Sequence, residues 1–359
     1  MRRFVRVGLL LSIALLIAGL GVISRPSGVA MGGGTTHLRL QLKWEPQAHG
    51  FYAAEGLEVE ILPGGPYIMP EKVVAEGDAD LGITWLSSLL VQREQGADLV
   101  NIAQVFRHSA VAQVVWRDSG ITSLGDLRGK RVAVWCCGNQ YELFAALHAH
   151  GIDPADPTAV TIVDQPFDME LFLRREVDAA AATTYNELAQ VLAAIDPATG
   201  RPYTLDDLTI FLMEAEGTGM LEDGVFARAD WLAAPGNRDI AMRFLRASFR
   251  GWITCREQPE ACVDATLAAS PALGRAHQRW MLNEVNALIW PSPAGIGVLE
   301  QAALERTAAI AVRFGVLATP PSTAAFRTDL AQEALAGIDE DTRGEEWQQP
   351  VVPLTLEEP

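Results

Sequence analysis

Three tryptophans stand where they could take part in recognition: Trp44, Trp85 and Trp135 each close a short apolar or β-branched run. A side chain at a strand end projects past the sheet edge, and an indole there offers a stacking face to a flat heterocycle. The same rings would serve equally as core, where tryptophan is highly buried on average. Trp135 is followed by Cys136, Cys137, Gly138 and Asn139, then by the helical pattern Tyr141, Leu143, Phe144, Leu147. Asn139 suits the N-cap of that helix, and Glu142 stands three residues later, where a capping box places its acid. Both can also hydrogen-bond a heterocycle's edge, since the Asn amide donates and accepts. Such a junction turns backbone N–H groups toward the region beyond the strand's carboxyl end, where open α/β sheets bind ligands. Thr183-Thr184-Tyr185-Asn186-Glu187 repeats the pattern, with Glu187 suited to a first helical turn. Gly64 and Gly65, within Pro63-Gly64-Gly65-Pro66, permit close backbone approach to a ligand, although turn geometry alone accounts for them.

Bond-breaking chemistry has less to stand on. The six histidines include one HxH pair, His148 and His150, on a helical pattern. Residues two apart on a helix do not share a face, so the pair is a weak metal site. No HExxH, Walker, GxSxG or dinucleotide-binding motif occurs, and neither a metal nor a cofactor is expected. Of the four cysteines, Cys255 and Cys262 are seven apart with Pro259 between them. On one continuous helix they would be about 10 Å apart along the axis, too far to bridge. Pro259 should end the first helix and turn the chain back, which makes a disulfide feasible in an oxidising compartment. Cys136 and Cys137 are adjacent and are expected as free thiols.

The elements that position these residues alternate. Short strands are expected at His37–Leu42, Leu57–Leu62, Ala79–Thr84, Asp98–Phe106, Arg131–Trp135, Val160–Val163, Ala179–Thr183 and Leu208–Phe211. Helices fall between them, including Pro70–Glu76 with proline at its first position. Val111–Trp116 reads as a strand able to cross from one lobe to another. After Asp230 the chain becomes helical. Strands alternating with helices specify α/β architecture with a parallel or mixed sheet.

The chain of 359 residues is 49% hydrophobic and 20% charged, large enough for two domains. Residues 1–30 read as an export signal or N-terminal anchor: an Arg-rich start, an apolar run from Val7 to Ile23, and a small-residue segment ending Gly-Val-Ala. No Cys follows until Cys136, so there is no lipidation site. Residues 31–36 form a flexible tether. Four of the 28 basic residues lie in the first 30, which leaves 24 against 45 acidic residues, a net charge of −21. So acidic a body is a poor partner for nucleic acid or an anionic membrane surface. Only the N-terminal segment, if retained, would contact a membrane.

The succession LKWEPQ, PGGP, ADLGITWLSSLL, LRGKRVAVWCCGNQYE, DAAAATTYNELAQVL, GVFARADWL and GWITCREQPEACV resembles substrate-binding proteins of ABC importers. The branch it resembles carries thiamine-pyrimidine precursors and, in some members, riboflavin. The resemblance spans nearly all of Leu38 to Gln348. It implies a two-lobed type II periplasmic-binding-protein fold, with a helical C-terminal part packed on the first lobe. Lobe 1 would comprise 37–113 and 217–343, lobe 2 114–216, and 344–359 a loose acidic tail. Hinges are expected near Val111–Trp116 and Phe211–Thr218. It further implies that Tyr185 and Asn186 face the ligand, completing a set with Trp44, Gly64, Gly65, Trp85, Trp135, Asn139 and Glu142. The implied protein is an exported monomer that passes a flat nitrogenous heterocycle to a permease and its ATPase. The enzyme alternative is a pyrimidine synthase, whose cysteine-rich, iron-associated motif has no counterpart in Leu208–Glu216. A sensory binding protein of the same fold is the other. One departure stands out: after Pro46-Gln47 the family has a full helix with cleft-facing aromatics, and here about one helix is missing.

Overall fold

The computed structural model describes residues 35–42, 50–65 and 67–354. The expected export signal, most of the tether, Trp44 and the last five residues lie outside them. In chain order the described elements begin β1 (Thr36–Gln41), α1 (Phe51–Ala54), β2 (Leu57–Leu62), α2 (Pro70–Glu76), β3 (Leu81–Trp85), α3 (Leu86–Glu94) and β4 (Leu99–Gln104). They continue with β5 (Val111–Trp116), β6 (Arg131–Val134), α4 (Tyr141–Ala149), β7 (Thr161–Asp164), α5 (Glu170–Leu173), β8 (Ala179–Thr183), α6 (Glu187–Ala193) and β9 (Leu208–Leu212). The last are β10 (Asp223–Arg228), α7 (Ala229–Ala233), α8 (Asn237–Glu257), α9 (Pro259–Ala269), α10 (Arg275–Ile289), α11 (Gln301–Arg313) and α12 (Asp329–Leu335).

These strands form two five-stranded sheets, ordered β2-β1-β3-β10-β4 and β7-β6-β8-β5-β9. β5, paired on both sides, is buried at every residue, and so is β4, which lies at the edge of its sheet but is covered by α3 and α12. The first sheet takes strands from both sides of the second, so the chain crosses between lobes twice, over 105–110 and again over 213–222. Val111–Trp116 is not the crossing segment. It is paired antiparallel with β8 on one edge and β9 on the other, and strand bonds on both sides leave it no freedom to flex.

Helix α8 packs on α1, α12 and β2 of the first lobe, but α10 also packs on α6 of the second. The Trp280 indole N–H donates to the Thr184 carbonyl at 2.9 Å. The helical part therefore touches both lobes. The tail is not loose through Leu354 either. Trp347 packs on the first-lobe core and Leu354 on a second-lobe cluster, while Gln349 donates to Glu284 at 2.6 Å. The stretch where the resemblance implies a full helix lies partly outside the described residues, which hold there the single turn α1; its Tyr52 stacks on Phe244 at 5.2 Å. Among the described residues no helix is long and apolar enough to cross a membrane.

Helix α8 ends at Glu257 and α9 begins at Pro259, and the break brings the Cα atoms of Cys255 and Cys262 to 5.4 Å, joined by a disulfide. Cys136 and Cys137 are not free thiols but are also joined to each other; adjacency in the chain set aside the one partner each had within reach. Denatured, unreduced protein should therefore take up no iodoacetamide, and four equivalents after reduction. Uptake of two without reductant would show that the adjacent pair is open.

Candidate functional site

The carboxyl ends of β3, β6 and β8, the start of β10 and both crossings converge where the lobes meet. Trp85 closes β3 of the first lobe, yet it is 1% exposed and lies in one apolar cluster with Val111, Val115, Trp135 and Leu143 of the second. Tyr185, just past β8, does the reverse. It is 5% exposed within the first-lobe core and meets Phe106 edge-on at 6.3 Å. Each lobe thus lends an aromatic ring to the other's core. Trp135 is fully buried, and its indole N–H donates to the Pro166 carbonyl at 3.2 Å. In this closed arrangement the faces of Trp85 and Trp135 are occupied by packing. Trp44 lies outside the described residues. Gly64 and Gly65 follow the edge strand β2, where a Cβ at Gly65 would meet the Ile68 side chain at 3.4 Å.

The β6–α4 junction departs from the capping expectation. Cys137 and Gly138 adopt positive φ, 66° and 102°, and this left-handed turn delays the helix start to Tyr141. Gln140 then occupies the N-cap position, and its side-chain oxygen accepts the Gly138 N–H at 2.9 Å. The Asn139 amide instead donates to the Cys136 carbonyl at 3.0 Å, and its Oδ1 is buried without a partner. Gly138 also carries a contact between lobes. Its carbonyl accepts the Ser88 hydroxyl at 2.8 Å, and a Cβ there would come within 2.2 Å of that oxygen. Only glycine permits so close an approach.

Glu142 forms no capping box. It is 1% exposed, and its carboxyl accepts the Ser109 hydroxyl at 2.5 Å. Burial pushes this carboxyl up to about 8, against the opposing pull of the Ser109 hydrogen bond. Facing it is Glu222, wholly buried, whose Oε1 accepts the Ala110 N–H at 2.6 Å and whose Oε2 has no partner. Burial raises Glu222 well above the usual carboxylate range, and the nearby Glu142 and Asp223 raise it further. The Tyr185 hydroxyl is also without a hydrogen-bond partner. Its acidity is suppressed first by burial and then by Glu222, Asp223 and Glu187.

At the β8–α6 junction Glu187 is held in place. It accepts the Thr183 hydroxyl at 2.7 Å, the Thr183 N–H at 2.9 Å and the Asn186 amide at 2.7 Å. Asn186 reaches His277 of α10 at 3.0 Å. The structure thus gathers Trp85, Trp135, Asn139, Glu142, Tyr185 and Asn186 along the lobe junctions. Sequence reasoning passed over Ser109, Glu222 and Asp223. The available signal was an acidic pair between Met220-Leu221 and Gly224-Val225-Phe226, charge where the pattern is otherwise apolar. All four cysteines are in disulfides, and among the described residues no group of three or more His, Cys, Asp or Glu could hold a metal ion. What converges here is a set of hydrogen-bonding groups in a dry setting, suited to gripping a polar edge.

A protein of Haemophilus influenzae named for thiamine biosynthesis is 30% identical over 117 residues, 32% of this chain and 37% of that one. The riboflavin-binding protein RibY of Chloroflexus aurantiacus is 24% identical over 229 residues, 62% of this chain and 61% of that one. The chain spans less than two thirds of the length of either relative. The periplasmic aliphatic sulphonate binding protein SsuA of Escherichia coli superposes with a TM-score of 0.58 at 16% identity, over 79% of this chain and 89% of that one. At that identity the likeness speaks for the fold, that of the two-lobed periplasmic binding proteins. The family described as NMT1/THI5 like matches residues 46–262, more than half of the sequence, and the chain belongs to that family.

Proposed function

We propose that the protein is an exported solute-binding subunit of an ABC importer. Its two lobes close on a flat nitrogenous vitamin or vitamin precursor, a thiamine-pyrimidine precursor or riboflavin, and deliver it to a permease with no bond made or broken. The observation that carries this reading is the pair of buried, unpartnered groups at the lobe junctions, Asn139 Oδ1 and the Tyr185 hydroxyl. Buried polar groups are normally satisfied, and a ligand edge between the lobes would satisfy these. Entry requires the lobes to part about the two crossings, 105–110 and 213–222, freeing the faces of Trp85 and Trp135 for stacking. A sulfonate cargo fits poorly, because an anion would meet Glu142, Glu222 and Asp223. The enzyme reading lacks a free thiolate and any cysteine in Leu208–Glu216.

Mass spectrometry of small molecules released from the purified, denatured protein should show such a heterocycle. Titration with riboflavin and a hydroxymethylpyrimidine should quench tryptophan fluorescence for one of them. Tyr185→Phe should then weaken binding by about tenfold, the loss of a hydrogen bond to a buried group. Unchanged affinity in Tyr185→Phe counts against the site, and failure of every flat heterocycle to bind counts against the function.

A further inference from the structure

The β6–α4 junction carries a second kind of chemistry. Cys136 and Cys137 are joined to each other, and both residues are half-buried rather than enclosed. The other disulfide differs. Cys255 and Cys262 are each 0% exposed, inside a cluster with Val263 and Leu282. Thiol–disulfide exchange needs a thiolate to reach one of the sulfurs, so access decides which bond reacts. Of the two bonds, only Cys136–Cys137 lies within reach of solvent.

A bond between chain neighbours ties both side chains to the one peptide between them, and so holds the backbone of Cys137 as well. Its φ is 66°, in the left-handed region that residues with a side chain seldom enter. Glycines aside, Arg175 alone shares that feature among the described residues. The turn made there positions a contact between the lobes. Gly138 follows at φ 102°, and its carbonyl accepts the Ser88 hydroxyl of α3 at 2.8 Å. Asn139 closes the turn back onto Cys136, its N–H 3.3 Å and its amide 3.0 Å from the Cys136 carbonyl. Helix α4 then runs into first-lobe packing, where Tyr141 and Ala145 join the cluster of Val74, Leu86 and Leu89.

We infer that Cys136–Cys137 is a thiol–disulfide exchange site, opened by a dithiol reductant, and that its redox state sets how firmly the second lobe is held to the first. One thiolate of the reductant attacks a sulfur of the pair, the S–S bond breaks, and the other cysteine leaves as a thiolate that takes up a proton. The reductant's second thiolate attacks its own sulfur in the mixed disulfide and displaces the remaining cysteine, which is protonated in turn. Two electrons pass to the protein, the reductant ends as a cyclic disulfide, and Cys136 and Cys137 each hold one proton. Without the bond, Cys137 returns to the common φ region, the Gly138 carbonyl leaves Ser88, and the first turn of α4 loosens. None of this depends on which cargo the cleft takes.

The test uses the native full chain. Limiting dithiothreitol, then iodoacetamide and peptide mass mapping, should label Cys136 and Cys137 at least about tenfold faster than Cys255 and Cys262. Hydrogen exchange is next compared between the oxidised and the selectively reduced protein. Peptides covering 135–145 and 86–94 should exchange about tenfold faster once the bond is open, while those from α8 and α9 stay unchanged. Reoxidation with glutathione disulfide should restore the slow exchange. C136S/C137S should exchange fast without any reductant. C136S/C137G should return to slow exchange and ignore reductant, since glycine accepts positive φ without steric cost. Equal reduction of the two pairs, or no label on Cys136 and Cys137 until the chain is denatured, removes the exchange site. Equal exchange in the oxidised and reduced parent, or in C136S/C137S and the oxidised parent, removes its hold on the lobes. A C136S/C137G chain as fast as C136S/C137S overturns the backbone route. Should neither variant fold, the two forms of the parent decide alone.

Discussion

Replacing Trp135 with alanine should cost the protein about 3–5 kcal/mol of stability before any ligand is considered. The ring is fully buried in a cluster with Val132, Val134, Leu143 and Leu147, and truncation removes that packing together with the bond to the Pro166 carbonyl. Denaturant unfolding of the ligand-free protein measures this directly. A midpoint shift worth less than about 1 kcal/mol would show that the ring is not the core element described here. The consequence reaches the functional test. Loss of binding in Trp135→Ala could follow from loss of packing alone, so it is no measure of stacking on a ligand. Trp135→Phe keeps a stacking face and gives up the indole hydrogen bond, which should cost about 1 kcal/mol. Only a variant that folds like the parent and binds less can be read as a ligand contact. Trp85→Ala should behave like Trp135→Ala and also loosen the lobes, because its ring is first-lobe chain within second-lobe core.

Raising the pH from about 5.5 to 8.5 should destabilise the ligand-free protein by at least about 2 kcal/mol. In the unfolded chain Glu142 and Glu222 titrate near the ordinary carboxylate value of 4.5. In the folded protein burial lifts Glu142 to about 8 and raises Glu222 as well. Between those limits the folded form binds more protons, so stability falls as pH rises, and above about 8 the loss from Glu142 is complete. Asp329 works in the other direction. Held down chiefly by Arg327, and by Arg238, it adds stability above its unfolded value that is lost on acidification. The optimum should therefore lie on the mildly acidic side of neutrality. Thermal melting across this range checks the prediction. Glu142→Gln and Glu222→Gln should flatten the profile and melt above the parent at pH 8.5. A parent profile flat from 5.5 to 8.5, or variants that melt below the parent at 8.5, would sink the account.

Much of the architecture was legible because its signals are local. Arg131–Val134 reads as a strand because β-branched residues alternate there over a few positions, and Pro70 opens α2 because proline suits a first helical turn. Pro259 begins α9 for the same reason, and the gap before it brings Cys255 back to Cys262. A chain that alternates such strands and helices has few ways to fold, and family motifs in order along it narrow them further.

The site was legible only as a set of junctions, because the partners at each are set by chain crossings rather than by neighbours. Asn139 and Glu142 have capping-box spacing, but Cys137 and Gly138 enter the left-handed region and move the helix start past Asn139. Glu142 then finds Ser109, 33 residues back, and Ala110 finds Glu222, 112 residues on. No periodicity reports a pairing at that range. The three tryptophans illustrate the same limit. A strand-end indole has the same sequence signature whether it faces a cleft or the opposite lobe, and for Trp85 and Trp135 tertiary packing decided in favour of the lobe. Composition and local pattern determined two α/β lobes, an acidic body and the junctions where a ligand would meet them. Tertiary structure decided the charge of the meeting point, because a carboxyl's protonation depends on how much water and which neighbours the fold leaves it.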